Sequence, residues 1–377
     1  MNRFHPQLPG AAAAALLVAV FSGALAVTAL PAEAQHERRD ERPAYFYRGL
    51  PYGSDASFNP VSELVNGAFG VLQITSNWKT LDELDLKHGL DVTWRSITHP
   101  GRTIDAYGTA DFVTNEVIPA QFRWSGLQYV PNYHLHLIGG GARHRAFVEW
   151  YRAHGFAHPG WWAAATTVAH SFAVESVEHN RARTTTVDPV ADMLLFDPAG
   201  AVLFSFDRVA RFFAHTLNMS IWSGQPMYNP VQNTFENAGQ NYGLHFFFNE
   251  KHRVGIFQYW GMSDLFGVTV RRNSGLDWSV GLGAIVAELK EEDRGTGMSA
   301  FYARLKWDAG IFLHENGSLL ASLHVSQSWT QRLRLNLYPG MVNWRGISPG
   351  LFMGLRGSDV MFGLSFISTP IGLAFSQ

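Results

Sequence analysis

From residue 217 onward the side chains alternate with a period of two, and no other feature restricts the fold as tightly. Leu217, Met219 and Ile221 alternate with polar or small residues, as do Tyr242, Leu244, Phe246 and Phe248. Val254, Ile256, Gln258 and Trp260 follow, then Phe266, Val268 and Val270. Trp278, Val280, Leu282, Ala284 and Val286 stand opposite Asp277, Ser279, Gly281 and Gly283. The pattern returns at Leu319, Ala321, Leu323 and Val325, at Leu333, Leu335 and Leu337, and at Val360, Phe362, Leu364 and Phe366. Successive side chains of a strand point to opposite faces, so each run has one apolar and one polar or small-residue face. Asn249-Glu250-Lys251, Asn273-Ser274-Gly275, residues 291–297, Asn316-Gly317 and Gly357-Ser358 separate the runs with hairpin-turn composition.

Composition decides what those faces meet. Charged residues are 16% of the 377, against roughly 25% in an average soluble protein. Aromatics reach 14% and there are 36 glycines, yet mean hydropathy is close to zero at -0.06. Strands with one face in lipid and the other in water give this balance. Trp278, Trp307, Trp329, Tyr338 and Trp344 fall near strand ends, where an interfacial aromatic girdle would put them. The expected fold class is mainly β: an antiparallel outer-membrane-type β-barrel in the C-terminal half, of about eight to ten strands, with a helical unit in the middle of the chain. A soluble β-sandwich also alternates, but its faces are less uniformly apolar. The net charge of -2 lacks the basic footprint of a nucleic-acid partner. The chain has no cysteine, which removes disulfides, thiol catalysis and thiolate metal sites.

The N-terminal segment reads as an export signal. Arg3 precedes an unbroken apolar and small-residue run at 11–30; Pro31 ends it, and Ala32-Glu33-Ala34 fits a small-x-small cleavage site before Gln35. Residues 1–34 are therefore expected to be a cleaved signal peptide and 35–44 a charged linker. Location in the outer membrane follows, with the periplasm as the alternative. Residues 45–132 are expected to be a mixed region of short strands and turns: strands at 90–94 and 109–113, a short helix at 61–73, and an aromatic run at 122–133.

Residues 133–215 read as a helical unit, ahead of barrel strands at 216–377. Helices are expected at 143–154 and 161–178, the second with Trp162, Ala165, Ala169 and Phe172 on its apolar face. Asp188-Pro189 and Asp197-Pro198 each open a further helix. In this unit the run from Tyr133 through His134 and His136 to Gly141, the helix with Glu175 and Glu178, and the loop with Asp188 and Asp192 resemble an uncharacterised domain-of-unknown-function family of exported Gram-negative envelope proteins. The resemblance spans 133–204, about a fifth of the chain. It implies association with the cell envelope and no known activity.

The candidate site residues are His134, His136, His170, Glu175, Glu178, His179, Asp188 and Asp192. Glu175 and Glu178 lie one turn apart on one helix face, and His134 and His136 share a side if their segment is a strand. Imidazoles and carboxylates gathered in this way bind divalent ions or act as acid and base. The Glu175-x-x-Glu178-His179 string lacks the first histidine of an H-x-x-E-H zinc motif. Ser171 beside His170 is no dyad, because adjacent residues on a helix diverge. The reading preferred from sequence is structural: the acids cap helices and pair with Arg143, Arg145, Arg181 and Arg183, with no metal and no cofactor.

Two function classes follow. One is a non-enzymatic outer-membrane barrel protein with a helical plug or docking unit, in a structural, assembly or small-solute role, whose partner is outer-membrane lipid. The other is an envelope hydrolase that modifies lipids or acyl chains through the acidic and histidine cluster. Export has a direct check: sequencing the N-terminus of protein from the cell envelope should return Gln35, whereas Met1 would indicate a retained anchor.

Overall fold

The computed structural model describes residues 43–118, 130–182, 185–249, 251–273, 275–293, 299–343, 345, 347–367 and 369–377. The expected signal peptide, nearly all of the linker, and most of the aromatic run at 122–133 lie outside them.

Helices fill the first half. After α1 (Gly53–Ser57) comes α2 (Pro60–Gly70), which continues into a 3-10 turn at Val71–Gln73. Its start is fixed locally: Asn59 accepts from the Val61 and Ser62 amides in a capping box, and Pro60 supplies a preset φ. Next are α3 (Leu86–Thr98) and α4 (Pro100–Tyr107), then α5 (Gly141–Ala153) and α6 (Pro159–Glu178). The unit closes with α7 (Asp188–Ala191), α8 (Asp197–Ser205) and α9 (Asp207–Arg211). Four π-helical stretches interrupt the series, at Phe112–Val117, Val130–Gly140, Asp192–Phe196 and Phe212–Thr216. The short helix expected at 61–73 is present. The strands expected at 90–94 and 109–113 are helical instead, so the helical unit begins well before residue 133. Their apolar runs are too short for period to separate strand from helix, and Asp85 and Pro100 open helices here.

The second half is one 13-stranded sheet, antiparallel except where β13 meets β2. The chain order is β1 (Ser220–Ile221), β2 (Met227–Asn229), β3 (Thr234–Glu236), β4 (Tyr242–Phe246), β5 (Val254–Trp260), β6 (Ser263–Val270) and β7 (Leu276–Asp293). It continues with β8 (Ser299–Glu315), β9 (Ser318–Ser326), β10 (Leu333–Leu337), β11 (Pro349–Arg356), β12 (Asp359–Phe366) and β13 (Gly372–Ser376). From β4 to β13 each strand pairs with the next through a hairpin. At Asn316-Gly317 both residues take positive φ, 49° and 77°, the two-residue turn whose twist matches the strands it joins. As paired, the strands form an open list with β1 and β3 at its ends. The expected alternating strands are present, though the run at 217–221 is strand only at Ser220–Ile221, and β2, β3, β8, β11 and β13 add to them.

The polarity of this sheet is inverted. One face exposes Val254, Ile256, Phe266, Val268, Val280, Leu282, Ile311, Phe362, Leu364, Leu373 and Phe375, with Leu282 66% exposed. The opposite face is buried and carries Ser279, Asp308, His314, Ser322, His324, Arg334, Asn336 and Arg356. Those polar groups satisfy one another: Ser263 donates to Asp308 at 2.5 Å, His324 Nδ1 lies 3.2 Å from the same carboxylate, and Arg356 pairs with Glu236 at 2.7 Å. Trp222, Phe257, Tyr259, Leu265, Phe312, Leu319 and Tyr338 pack together on this buried side. Trp278, Trp307 and Trp329 are exposed as the girdle requires; Tyr338 instead turns inward and donates its hydroxyl to the Ser223 carbonyl. A phenol is small enough to pack inside when a backbone acceptor is within reach. Trp344 lies outside the described residues.

Helices and sheet are joined by buried polar contacts. Glu149 accepts from the amides of Tyr45, Phe46 and Tyr47 at 2.9, 2.8 and 2.9 Å and from Arg145, tying the first described segment to α5. On α2, the Asn66 amide donates to the Gly224 carbonyl at 2.9 Å and accepts from the Gly239 amide at 3.0 Å, while Phe69 stacks on Phe235. Gly67 lets α2 meet α6, since a Cβ there would sit 2.1 Å from His170 Nε2. Asn66→Leu leaves a buried carbonyl and a buried amide without their side-chain partner. It should cost on the order of 2–4 kcal/mol in denaturant unfolding; a variant as stable as the parent would show that the bridge is dispensable.

Candidate functional site

Helix α6 buries Thr166, Thr167, His170, Ser171 and Glu175, and exposes Trp161, Trp162 and Val168. This reverses the expectation that Trp162, Ala165, Ala169 and Phe172 form the packing face: Trp162, Ala165 and Ala169 are exposed and Phe172 is half-buried. Periodicity identifies the two faces of a helix but not the side on which the rest of the protein lies. Here the polar face is inward because its partners are there.

His136 is the centre of the cluster. It lies in the π-helical stretch Val130–Gly140. Its Nδ1 is 3.1 Å from Asp197 Oδ1 and its Nε2 is 3.4 Å from Asp192 Oδ2. Ser171 donates its hydroxyl to the second Asp197 oxygen. The donor atoms of His136, Glu175 and Asp192 all lie within 4.8 Å of one another. Asp192 Oδ1 is buried with no hydrogen-bond donor, and Glu175 Oε2, equally buried, makes no hydrogen bond and has only His179 Nδ1 beside it at 3.4 Å. Beside them, His179 Nδ1 meets the Glu175 carbonyl oxygen at 2.9 Å, and its Nε2 lies 2.9 Å from Thr186 Oγ1 and 3.6 Å from Asp188 Oδ2. His170 sits between Arg143 and Gln240, and Arg143 also donates to the Tyr242 hydroxyl at 3.0 Å.

The fold thus gathers His136, His170, Glu175, Glu178, His179, Asp188 and Asp192 into one region. His134 is not among them. A π-helical turn separates residues two apart, so His134 faces Trp260, 6.1 Å between ring centroids, and Asp264. Sequence reasoning took Asp197 only as the start of a helix and assigned no site role to Ser171; the repeated Asp-Pro at 188 and 197 was the available signal.

Among the described residues, the arginines expected to pair with the glutamates are engaged elsewhere or exposed. Arg145 pairs with Glu149 at 2.9 Å and Asp207 at 2.8 Å, and Arg181 is exposed. Arg143 is committed to Tyr242 and His170, and Arg183 lies outside the described residues. Among the described residues no arginine or lysine pairs with Glu175 or Asp192.

The electrostatics follow from this crowding. Burial, then the charges of Glu178, Asp188 and Asp197, push Glu175 well above the usual glutamate range. Burial does the same to Asp192, although His136 opposes it. Burial alone would lower His136, but Asp192 and Asp197 lift it to about 9. Asp197 is held below its ordinary value, against burial, by His136 and Ser171. The arrangement can store protons or hold a cation; it offers no activated serine, because Ser171 donates to a carboxylate rather than to an imidazole. No protein family, curated protein or solved structure matches the chain.

Arg143 also bears on Glu63 of α2, whose carboxylate accepts from Ser223 at 2.9 Å. Burial pushes Glu63 up to about 7 from an ordinary 4.5, against the pull of Ser223 and Arg143. A carboxyl with a raised folded value is neutral in both states at low pH, and folding is penalised progressively as pH rises from the unfolded value to the folded one. Stability should therefore fall between pH 4.5 and about 7 and then level. Glu63→Gln keeps an acceptor for Ser223 and should gain on the order of 2–3 kcal/mol at pH 8, with nothing gained below pH 4.5. Denaturant unfolding at the two pH values measures it.

Proposed function

We propose that this chain is an exported outer-membrane protein whose sheet closes into a barrel across the lipid, anchoring the helical unit docked against it. The observation that carries this reading is the inverted sheet. A soluble sheet turns its apolar side inward; here Val, Ile, Leu, Phe and Trp side chains form the exposed face of β5–β8 and β11–β13, with polar groups inside.

Closure is supported by the backbone between the two ends of the strand order. β1 pairs with β4 and β2 with β3, in one antiparallel register from Ser220↔Gly243 to Asn229↔Thr234. Between them Trp222 N–H donates to Asn241 at 2.7 Å and Gly224 N–H to Gly239 at 2.8 Å. Residues 220–229 thus act as one strand along 234–243. Its other edge receives β13 through Gly372 N–H to the Pro226 carbonyl at 2.9 Å. Following neighbours from β4 through β13 to β2 returns to the strand that carries β4. Closure along this line would leave no unpaired edge, the condition for a sheet in hydrocarbon.

The buried aromatic cluster around Trp222 occupies the space between β1, β5, β8 and β10, which favours a structural or anchoring role over solute passage. The helical unit also presents apolar groups outward, with Trp161 79% exposed alongside Val168, Val202 and Phe206. Among the described residues no single helix is long and apolar enough to cross a membrane. The resemblance of residues 133–204 to exported envelope proteins points the same way.

A closed barrel resists detergent, so unboiled and boiled samples should migrate differently on a gel. Leu282→Arg should abolish that difference, or the membrane-inserted protein, at a cost of about 2–4 kcal/mol. Equal migration together with release into the soluble periplasm would favour a soluble sandwich.

A further inference from the structure

We infer that His136, Glu175 and Asp192 form a binding site for one divalent transition-metal ion, buried in the helical unit. The three side chains come from different segments, the π-helical stretch at Val130–Gly140, helix α6 and the π-helical stretch at Asp192–Phe196, and bring their donor atoms within 4.8 Å of one another. The unsatisfied oxygens point to a ligand. Asp192 Oδ1 is buried without a donor, Glu175 Oε2 has only a long contact of 3.4 Å to His179 Nδ1, and no arginine or lysine among the described residues pairs with either. A buried carboxylate without a partner costs several kcal/mol, and two side by side compound it. A dication neutralises both charges and takes up both oxygens.

The histidine is set as metal-binding histidines are. Its Nδ1 is engaged by Asp197, which is itself held by Ser171, so the proton is fixed on that nitrogen and Nε2 is turned toward Asp192. With the proton held on Nδ1, Nε2 can offer its lone pair to an ion as a neutral ligand backed by a carboxylate, any proton it carried being released to solvent. One imidazole with two carboxylates suits zinc, iron or manganese and is a poor set for calcium, which takes six to eight oxygens. Three protein ligands leave a further position for water. His136 and Asp192 both lie in π-helical stretches, a winding frequent at functional sites.

This assignment stands apart from the barrel reading, and its test does not depend on membrane insertion. The full chain, purified from whole cells in mild detergent without chelator or added metal, is analysed for metals by mass spectrometry, and the chelator-stripped protein is titrated with Zn2+, Mn2+ and Fe2+. About one ion per chain is expected, with a higher melting temperature on reloading. Glu175→Gln combined with Asp192→Asn should lose that ion, while Glu178→Gln, outside the ligand set, should keep it. If the double variant does not fold, the wild-type metal content and reloading shift still decide. Wild-type protein without metal and indifferent to all three ions overturns the site, as does a double variant that retains the full complement.

Discussion

A sheet that turns its apolar side outward must satisfy every polar group on the other side from within, and the remainder of this structure depends on that constraint. The inward face carries Asp308, His324, Arg334, Arg356 and Glu236, none of which can turn to bulk water. Each is placed against a complement on a neighbouring or opposite strand: Ser263 and His324 against Asp308, Tyr259 against Arg334, Glu236 against Arg356. Removing one member of such a pair leaves the other charged and buried, which costs more than the pair contributes. The wall is therefore specified by its polar interior as much as by its apolar rim.

The helical unit obeys the same rule by other means. Its acids and histidines face inward on α6 and on the segments around His136 and Asp192, and Trp161, Val168 and Val202 face outward. Helices meet this demand less easily than strands, because backbone bonds within a helix fix the angular spacing of its side chains. The π-helical stretches relax that spacing at the two places where the cluster needs it. Arg143 then links the unit to the sheet through Tyr242 while sharing its charge with Asp197 and Glu63.

Period-two alternation made β4–β7, β9, β10 and β12 legible, because each has a consistent apolar face over several residues. β8 has the same alternation, Leu305, Trp307 and Ile311 out and Asp308, Gly310 and Phe312 in, but Lys306 and Arg304 between the apolar residues obscured it. The segments 90–94 and 109–113 look like strands in the sequence and are helical, since their apolar runs are short, whereas the helix at 61–73 is legible. Seven site candidates came together although they lie on separate segments, because buried ionisable groups have few places to go. The direction of α6 was not legible: its two faces can be seen in the sequence, but which one the protein covers depends on the solvent outside.

The bridge at Asn66 joins the sheet to an earlier part of the chain. Between β1 and β2 on one side and β3 and β4 on the other, the ladder narrows to the bonds at Trp222 and Gly224, and the side chain of a helix supplies the groups that the strands do not. Since α2 precedes every strand in the chain, it is synthesised before any of them. A chain in which α2 failed to form would lack the side chain that bridges Gly224 and Gly239, and its two paired segments would be held there by the Trp222 and Gly224 bonds alone.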